Sequence, residues 1–367
     1  MGSNKEIKEQ FSIAPGKDDA GKPIFSVLVK RTYDIKHNQQ AIRAENSLPL
    51  NVMDTYYDHG DPQWATIKYE SDMIPYKIAT DFVVIGKAYA PKGIPIMQMD
   101  VSVEVSNVQK TIRIIGDRKC IFRGEKKPPV FTEPIEFNEM EIRYEKAYGG
   151  KDEISEPNLP LMYPRNYMGK GFAVKNIPEV IDGLLLPNLE DPNDLITPEN
   201  LVLEDIYLWN RKPLPQGFGW FQKTWYPRSS FVGAVPGFVM PDEVMKEEIL
   251  GIVPKGQIAL SRQFKLPSFD VRFNNGASLG LVLPFLSGGE SVKLTNMSKD
   301  GALEFRLPKD TPKIMLDIGL GENELKPYIH TVCVRVDDMQ VDIVWRGAHE
   351  YPGIDWLPEM TKMETNI

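Results

Sequence analysis

The sequence predicts a mainly β protein: N- and C-terminal antiparallel β-sandwich or barrel-like regions, joined by a loop-rich middle region with one or two short helices. Three observations carry this. Runs rich in β-branched and aromatic residues, some alternating at period two, fill the first third and the last quarter of the chain. Gly (28) and Pro (30) together are frequent enough among 367 residues to cut the chain into short segments. No 20–50-residue period is present, so repeat architectures are excluded.

The elements follow in order. Residues 1–22 read as a polar N-terminal tail. In the N-terminal β region, 23–125, the run Ile24 to Tyr33 predicts a strand, as does Asp81 to Tyr89, stopped by Pro91. From Met97 to Val105 apolar and polar residues alternate, Asn107 marks a turn, and Lys110 to Ile115 returns. That pattern predicts a hairpin with one buried and one wet face. In the middle region, 126–256, prolines recur every few residues and exclude long regular elements, while Tyr163, Phe172, Trp209, Phe218, Trp220, Phe221, Trp225 and Tyr226 predict ordered, ring-packed loops. Pro241, early acids and the Met245/Ile249 pair predict one helix over 242–250. In the C-terminal β region, 257–350, strands are predicted over 269–273, 279–285, 291–296, 303–307, 314–318, 328–336 and 340–345, with a hairpin turn at Asp337-Asp338. That region can pack with the N-terminal one as a single unit. Residues 351–367 read as a polar tail.

Charge and cysteine content narrow the function. With 43 basic and 51 acidic residues the net charge is -8, so the chain as a whole has no electrostatic pull toward nucleic acid or anionic membrane. Cys120 and Cys333 cannot make a disulfide framework, and no stretch approaches the roughly 18 apolar residues of a membrane span. The N-terminus carries no secretory pattern, and Glu6 stands where a myristoylation motif has Ser or Thr. A cytoplasmic location is the expectation.

Catalytic motifs mostly fail on context. Gly276-Ala277-Ser278-Leu279-Gly280 matches G-x-S-x-G, but a strand pattern follows where a nucleophile elbow needs a helix. Ser278 therefore reads as a turn residue, with a hydrolase using it as nucleophile as the alternative. His330-x-x-Cys333 would place its side chains on opposite faces of a strand, against a zinc site. Asp54, Asp58 and Asp61, with Tyr56, Tyr57 and His59, lack the spacing of a calcium loop. They read as a solvated turn, or as the binding loop of a carbohydrate-binding β-sandwich. No nucleotide-binding glycine motif occurs, and no metal or cofactor is expected. Arg118, Arg123, Arg228 and Arg346 are the cations suited to gripping carboxylates or carbonyls.

Read in order, several segments resemble one family of bacterial proteins. They are Val29-Lys30-Arg31-Thr32-Tyr33, Ser71 to Lys77 with Thr80-Asp81 through Pro91, Gly116-Asp117-Arg118, Tyr144 through Gly149-Gly150, Tyr163 to Asn166 with Gly169-Lys170-Gly171-Phe172, Leu186 to Glu190, Trp225-Tyr226-Pro227-Arg228, and Leu303 to Pro308 with Trp345-Arg346-Gly347. The order and content are similar to the DUF2169 family, associated with type VI secretion. The resemblance implies a cytoplasmic adaptor or chaperone that binds an effector, often one with a PAAR domain, and helps mount it on the VgrG spike without catalysis. The chain departs from the family pattern at Phe231 to Pro236 and at Gly276 to Ser278. On this reading Trp209, Phe218, Trp220 and Trp225 are the candidate partner-binding residues, with core packing as the alternative reading of the same rings. Lys30, Asp81, Arg118, Tyr144, Gly149, Gly150, Gly171, Arg228, Trp345 and Arg346 are structural motif residues, with Arg228 and Arg346 as struts.

Overall fold

The β-branched run near the N-terminus forms the longest strand described. The computed structural model describes residues 10–57, 65–156, 161–232, 269–317 and 321–350, and the backbone of 362–366. The principal strands are β1 (Gln10–Lys17), β2 (Pro23–Asp34), β3 (Thr80–Ile85), β4 (Gln98–Val105), β5 (Val108–Ile115), β6 (Ser291–Ser298), β7 (Gly301–Arg306), β8 (Lys313–Asp317), β9 (Glu322–Leu325), β10 (Tyr328–Arg335) and β11 (Gln340–Glu350).

Two sheets organise them, and each takes strands from both ends of the chain. The first runs β1-β2-β11-β10-β3 and ends on the short strand Val282–Leu283. Here β2 and β11 pair antiparallel from Ile24↔Glu350 to Asp34↔Gln340. By contrast β10 and β3 pair parallel, from Thr331↔Asp81 to Arg335↔Ile85. The second runs β5-β4-β6-β7, flanked by Leu189–Glu190 and Gln39–Gln40. The fold is mainly β, and among the described residues no sheet closes into a barrel.

The two sheets share one buried cluster. Val101, Val103 and Val105 of β4 and Ile112 and Ile114 of β5 meet Tyr33, Phe82, Val84, Val332, Val334, Val341, Ile343 and Trp345 of the first sheet. Each such side chain contributes about 1.5–3 kcal/mol on burial. Period-two alternation sends the intervening residues of β2 and β11 to the opposite face, where polar Lys30, Thr32 and Asp342 alternate with Leu28 and Val344 and residues 47–50 and 72–75 lie against it. There Lys30 pairs with Asp72 at 2.8 Å, Thr32 donates to Asp342, and Leu50 and Met73 pack on Leu28 and Val344.

A second core holds the middle region. Tyr148, Tyr163, Phe172, Ile181, Leu186, Leu201, Trp209 and Tyr226 are all buried in it, among loops whose one described α-helix is Pro178–Ile181. The helix expected at 242–250 lies outside the described residues.

Several expectations are corrected. Residues 10–17, read as tail, form β1. Pro15 is tolerated because that strand is an edge and needs no second ladder. Residues 362–366, also read as tail, pair with β8 from Lys313↔Asn366 to Asp317↔Lys362. The strand expected at 269–273 is instead a 3₁₀ turn, Val271–Asn274, capped by the Asp270 side chain, which accepts from the backbone N–H of Arg272. Pro284 limits the strand expected at 279–285 to Val282–Leu283.

Candidate functional site

Burial decides the role of the four candidate partner-binding rings. Trp209, Phe218 and Trp225 are 0% exposed and Trp220 is 4% exposed. Trp225 packs edge-on against Tyr144 and Phe221 with centroids 5.2 and 5.3 Å away. Trp209 packs on Tyr226 at 5.2 Å, with the Arg165 guanidinium 4.9 Å from its centroid. Lys77 lies over Trp220. Partner anchors reach the surface; these rings are packed inside, as the core-packing alternative for them has it.

The motif residues form buried polar clamps between loops and sheets. Asp81, at the start of β3, is fully enclosed. Its carboxylate accepts from Lys77 Nζ at 2.7 Å, Asn275 Nδ2 at 3.1 Å, Gly276 N at 3.0 Å and Ala277 N at 3.1 Å. Arg228 donates to the carbonyls of Phe273 and Phe221 and pairs with buried Glu70. Glu70 and Asp54 are both reached by Lys223. Arg118 pairs with Glu190. Gly149 and Gly150 adopt positive φ, and a Cβ on Gly149 would run into the Asn166 carbonyl, so only glycine lets the Tyr148–Gly149 strand lie parallel to Lys170–Gly171.

Ser278 is the one motif nucleophile that acquires a base-like neighbour. Lys110 Nζ, on β5, donates to Ser278 Oγ and to the Leu279 carbonyl at 2.7 Å, and burial pushes the Lys110 pKa down to about 7. Yet Ser278 is 0% exposed, its hydroxyl donates to the Gly217 carbonyl at 2.6 Å, and the chain continues into a strand. A nucleophile must touch substrate with a free proton path to its base; this hydroxyl ties two loops together.

The other candidates are spent on structure or unpartnered. Asp54 accepts from Lys223 and from Ser71 N, while Asp58, His59 and Asp61 lie outside the described residues. Cys120 and Cys333 are free, buried thiols, and burial pushes that of Cys120 up to about 12. His330 occupies the bulge of β10 between Ile329 and Thr331, with Nε2 enclosed and unpartnered. Among the described residues no group of three His, Cys, Asp or Glu side chains is placed to hold a metal ion, and no helix is long and apolar enough to cross a membrane.

What the surface offers instead is apolar. Residues 115–121 run between 184–188 and 130–135, joined by Leu186 N to Arg118 O, Cys120 N to Leu184 O and Thr132 N to Lys119 O. The inward residues of this ribbon are Arg118 and Cys120. On the outward side Ile121 pairs with Val130, and Leu185 lies across from Lys119. Ile121, Val130 and Leu185 are 43, 39 and 52% exposed around exposed Lys119, and Ile135 and Met97, whose backbones flank Gly116, are exposed as well. Sequence reasoning missed it because scattered aliphatic residues in a Pro-rich segment show no periodicity.

The fold is two sheets sharing strands from both chain ends, clamped by buried ion pairs. The family model described as "Uncharacterized protein conserved in bacteria (DUF2169)" matches residues 20–346, and the chain belongs to that family. No curated protein and no solved structure matched the chain.

Proposed function

We propose that this chain is a non-catalytic adaptor of type VI secretion, which binds an effector, of the kind carrying a PAAR domain, in the cytoplasm and helps load it onto the VgrG spike. The observation that carries the reading is the division of side chains. The groups capable of chemistry, Ser278, Asp81, Glu70 and Cys120, are enclosed and mostly bonded to neighbouring loops, while aliphatic side chains stand outside on the 115–135 ribbon. Exposed apolar surface of this kind suits protein association. The sequence blocks resembling the secretion-associated family support the choice of partner.

The test is co-expression with the effector encoded beside this chain. The wild type copurifies with it, and Ile121→Glu with Leu185→Glu loses the complex while keeping the wild-type melting curve. A folded double variant that still binds as the wild type does rules out the ribbon. Absence of any complex between folded wild-type proteins rules out the adaptor reading.

A further inference from the structure

Arg346 differs from Arg118 and Arg228 in having no carboxylate partner among the described residues. It lies on β11 across from Leu28 of β2 and Tyr328 of β10. Alternation turns it away from the Trp345 core. It is 5% exposed, with its guanidinium carbon 4.5 Å from the Tyr76 centroid and 5.8 Å from that of Tyr328. Nε and Nη1 are both enclosed without a hydrogen-bond partner, and no carboxylate among the described residues forms an ion pair with it. Arg228 and Arg118, by contrast, each meet a buried glutamate.

Its surroundings are short of negative charge. His330, enclosed in the bulge, is held neutral by burial and by the charges of Lys77 and Arg346. Lys326 sits 5.0 Å over Tyr328. Asp19 is exposed, and its charge acts on Tyr76 and Arg346 without an ion pair to the guanidinium. Tyr76 and Tyr328 are half-buried, so the rings border the surface.

A guanidinium whose faces are covered by rings keeps its edge donors for a planar acceptor, and a carboxylate matches that fork. An enclosed charge with idle donors is costly unless something completes it. We propose that Arg346, with Tyr76, Tyr328 and His330, forms a receptor for the carboxylate of a bound ligand, either a peptide C-terminus or an acidic side chain. This site stands apart from the apolar ribbon and does not depend on the adaptor reading.

The test follows the Arg346 Nε–H resonance in protein labelled with ¹⁵N-arginine, assigned by its loss in Arg346→Lys. The probes are acetyl-Ala-Ala with a free C-terminus, its C-terminal amide, acetyl-Glu-amide, and sodium chloride at matched ionic strength. The resonance moves and saturates with a carboxylate probe and not with the amide or chloride. The melting temperature rises by about 2 °C at ten times the dissociation constant. Response to acetyl-Ala-Ala alone identifies a chain terminus as the ligand, and response to acetyl-Glu-amide alone an acidic side chain; both support the site. Arg346→Lys keeps the charge but loses the fork and binds about tenfold more weakly. Asp19→Asn removes a competing carboxylate and binds more tightly. A resonance unmoved by either carboxylate, or moved equally by the amide or chloride, overturns the proposal. The wild-type titration decides this even if Arg346→Lys does not fold.

Discussion

Replacing Asp81 by Asn tests whether the motif residues serve the framework. The substitution keeps the volume and removes the charge. Lys77, 2% exposed, then keeps only Thr331 Oγ1 at 3.0 Å and the ring of Trp220. The new amide also points a donor at some of Asn275 Nδ2, Gly276 N and Ala277 N, which donate to the carboxylate in the native fold. Breaking a buried pair by removing one partner costs about 3–5 kcal/mol. That is a large share of the roughly 5–15 kcal/mol that holds a protein together. Asp81→Asn with Lys77→Met removes the stranded ammonium as well, and recovers about 1–3 kcal/mol of the loss. The assay is urea unfolding at neutral pH, with the midpoint compared at constant slope. A single variant that loses less than about 1 kcal/mol, or a double variant no better than the single, refutes the reasoning.

Further predictions follow from the same geometry. Ser278→Ala lowers stability by about 1–2 kcal/mol, because the Gly217 carbonyl loses its donor and Lys110 an acceptor, and leaves effector binding unchanged; ester-hydrolysis assays of wild type and variant read the same background. Burial lowers the pKa of Lys110 to about 7 and of Lys212 to about 8. The unfolded chain therefore binds more protons than the folded one above those values. Stability rises between pH 7 and about 9.5, is lost as pH falls through the folded pKa values, and rises less steeply in Lys110→Met, as urea midpoints across that window will read. Gly149→Ala strains a positive-φ position and drives a methyl group into the Asn166 carbonyl, so its melting temperature falls by several degrees.

Much of the fold was legible because its signals are local. The β-branched run of β2, the alternation of β4 and the turn before β5 each state their structure within a dozen residues. The edge strand β1 was not, since Pro15 and Gly16 mimic a loop until β2 supplies the partner. The 3₁₀ turn at Val271–Asn274 was not, since its apolar pattern reads as strand until Asp270 caps it.

The site was less legible, because its contacts join residues far apart in the chain. Arg228 meets Glu70 across 158 positions, and Lys110 meets Ser278 across 168. No spacing rule announces either pair. The aromatic residues around Trp225 gave a correct signal of order but not of location: rings suit an interface and a core equally, and here they fill the core. The idle donors of Arg346 are invisible in sequence, since only the fold shows which arginines go unmatched.

The central claim is that this chain works by holding another protein. Calorimetric titration of the purified chain with a purified effector of the proposed kind, followed by light scattering of the mixture, tests that most directly. The account predicts saturable binding at a fixed stoichiometry, a defined complex, and both proteins recovered chemically unchanged. No binding by two folded proteins, or catalytic conversion of the effector that disappears in Ser278→Ala, would contradict it.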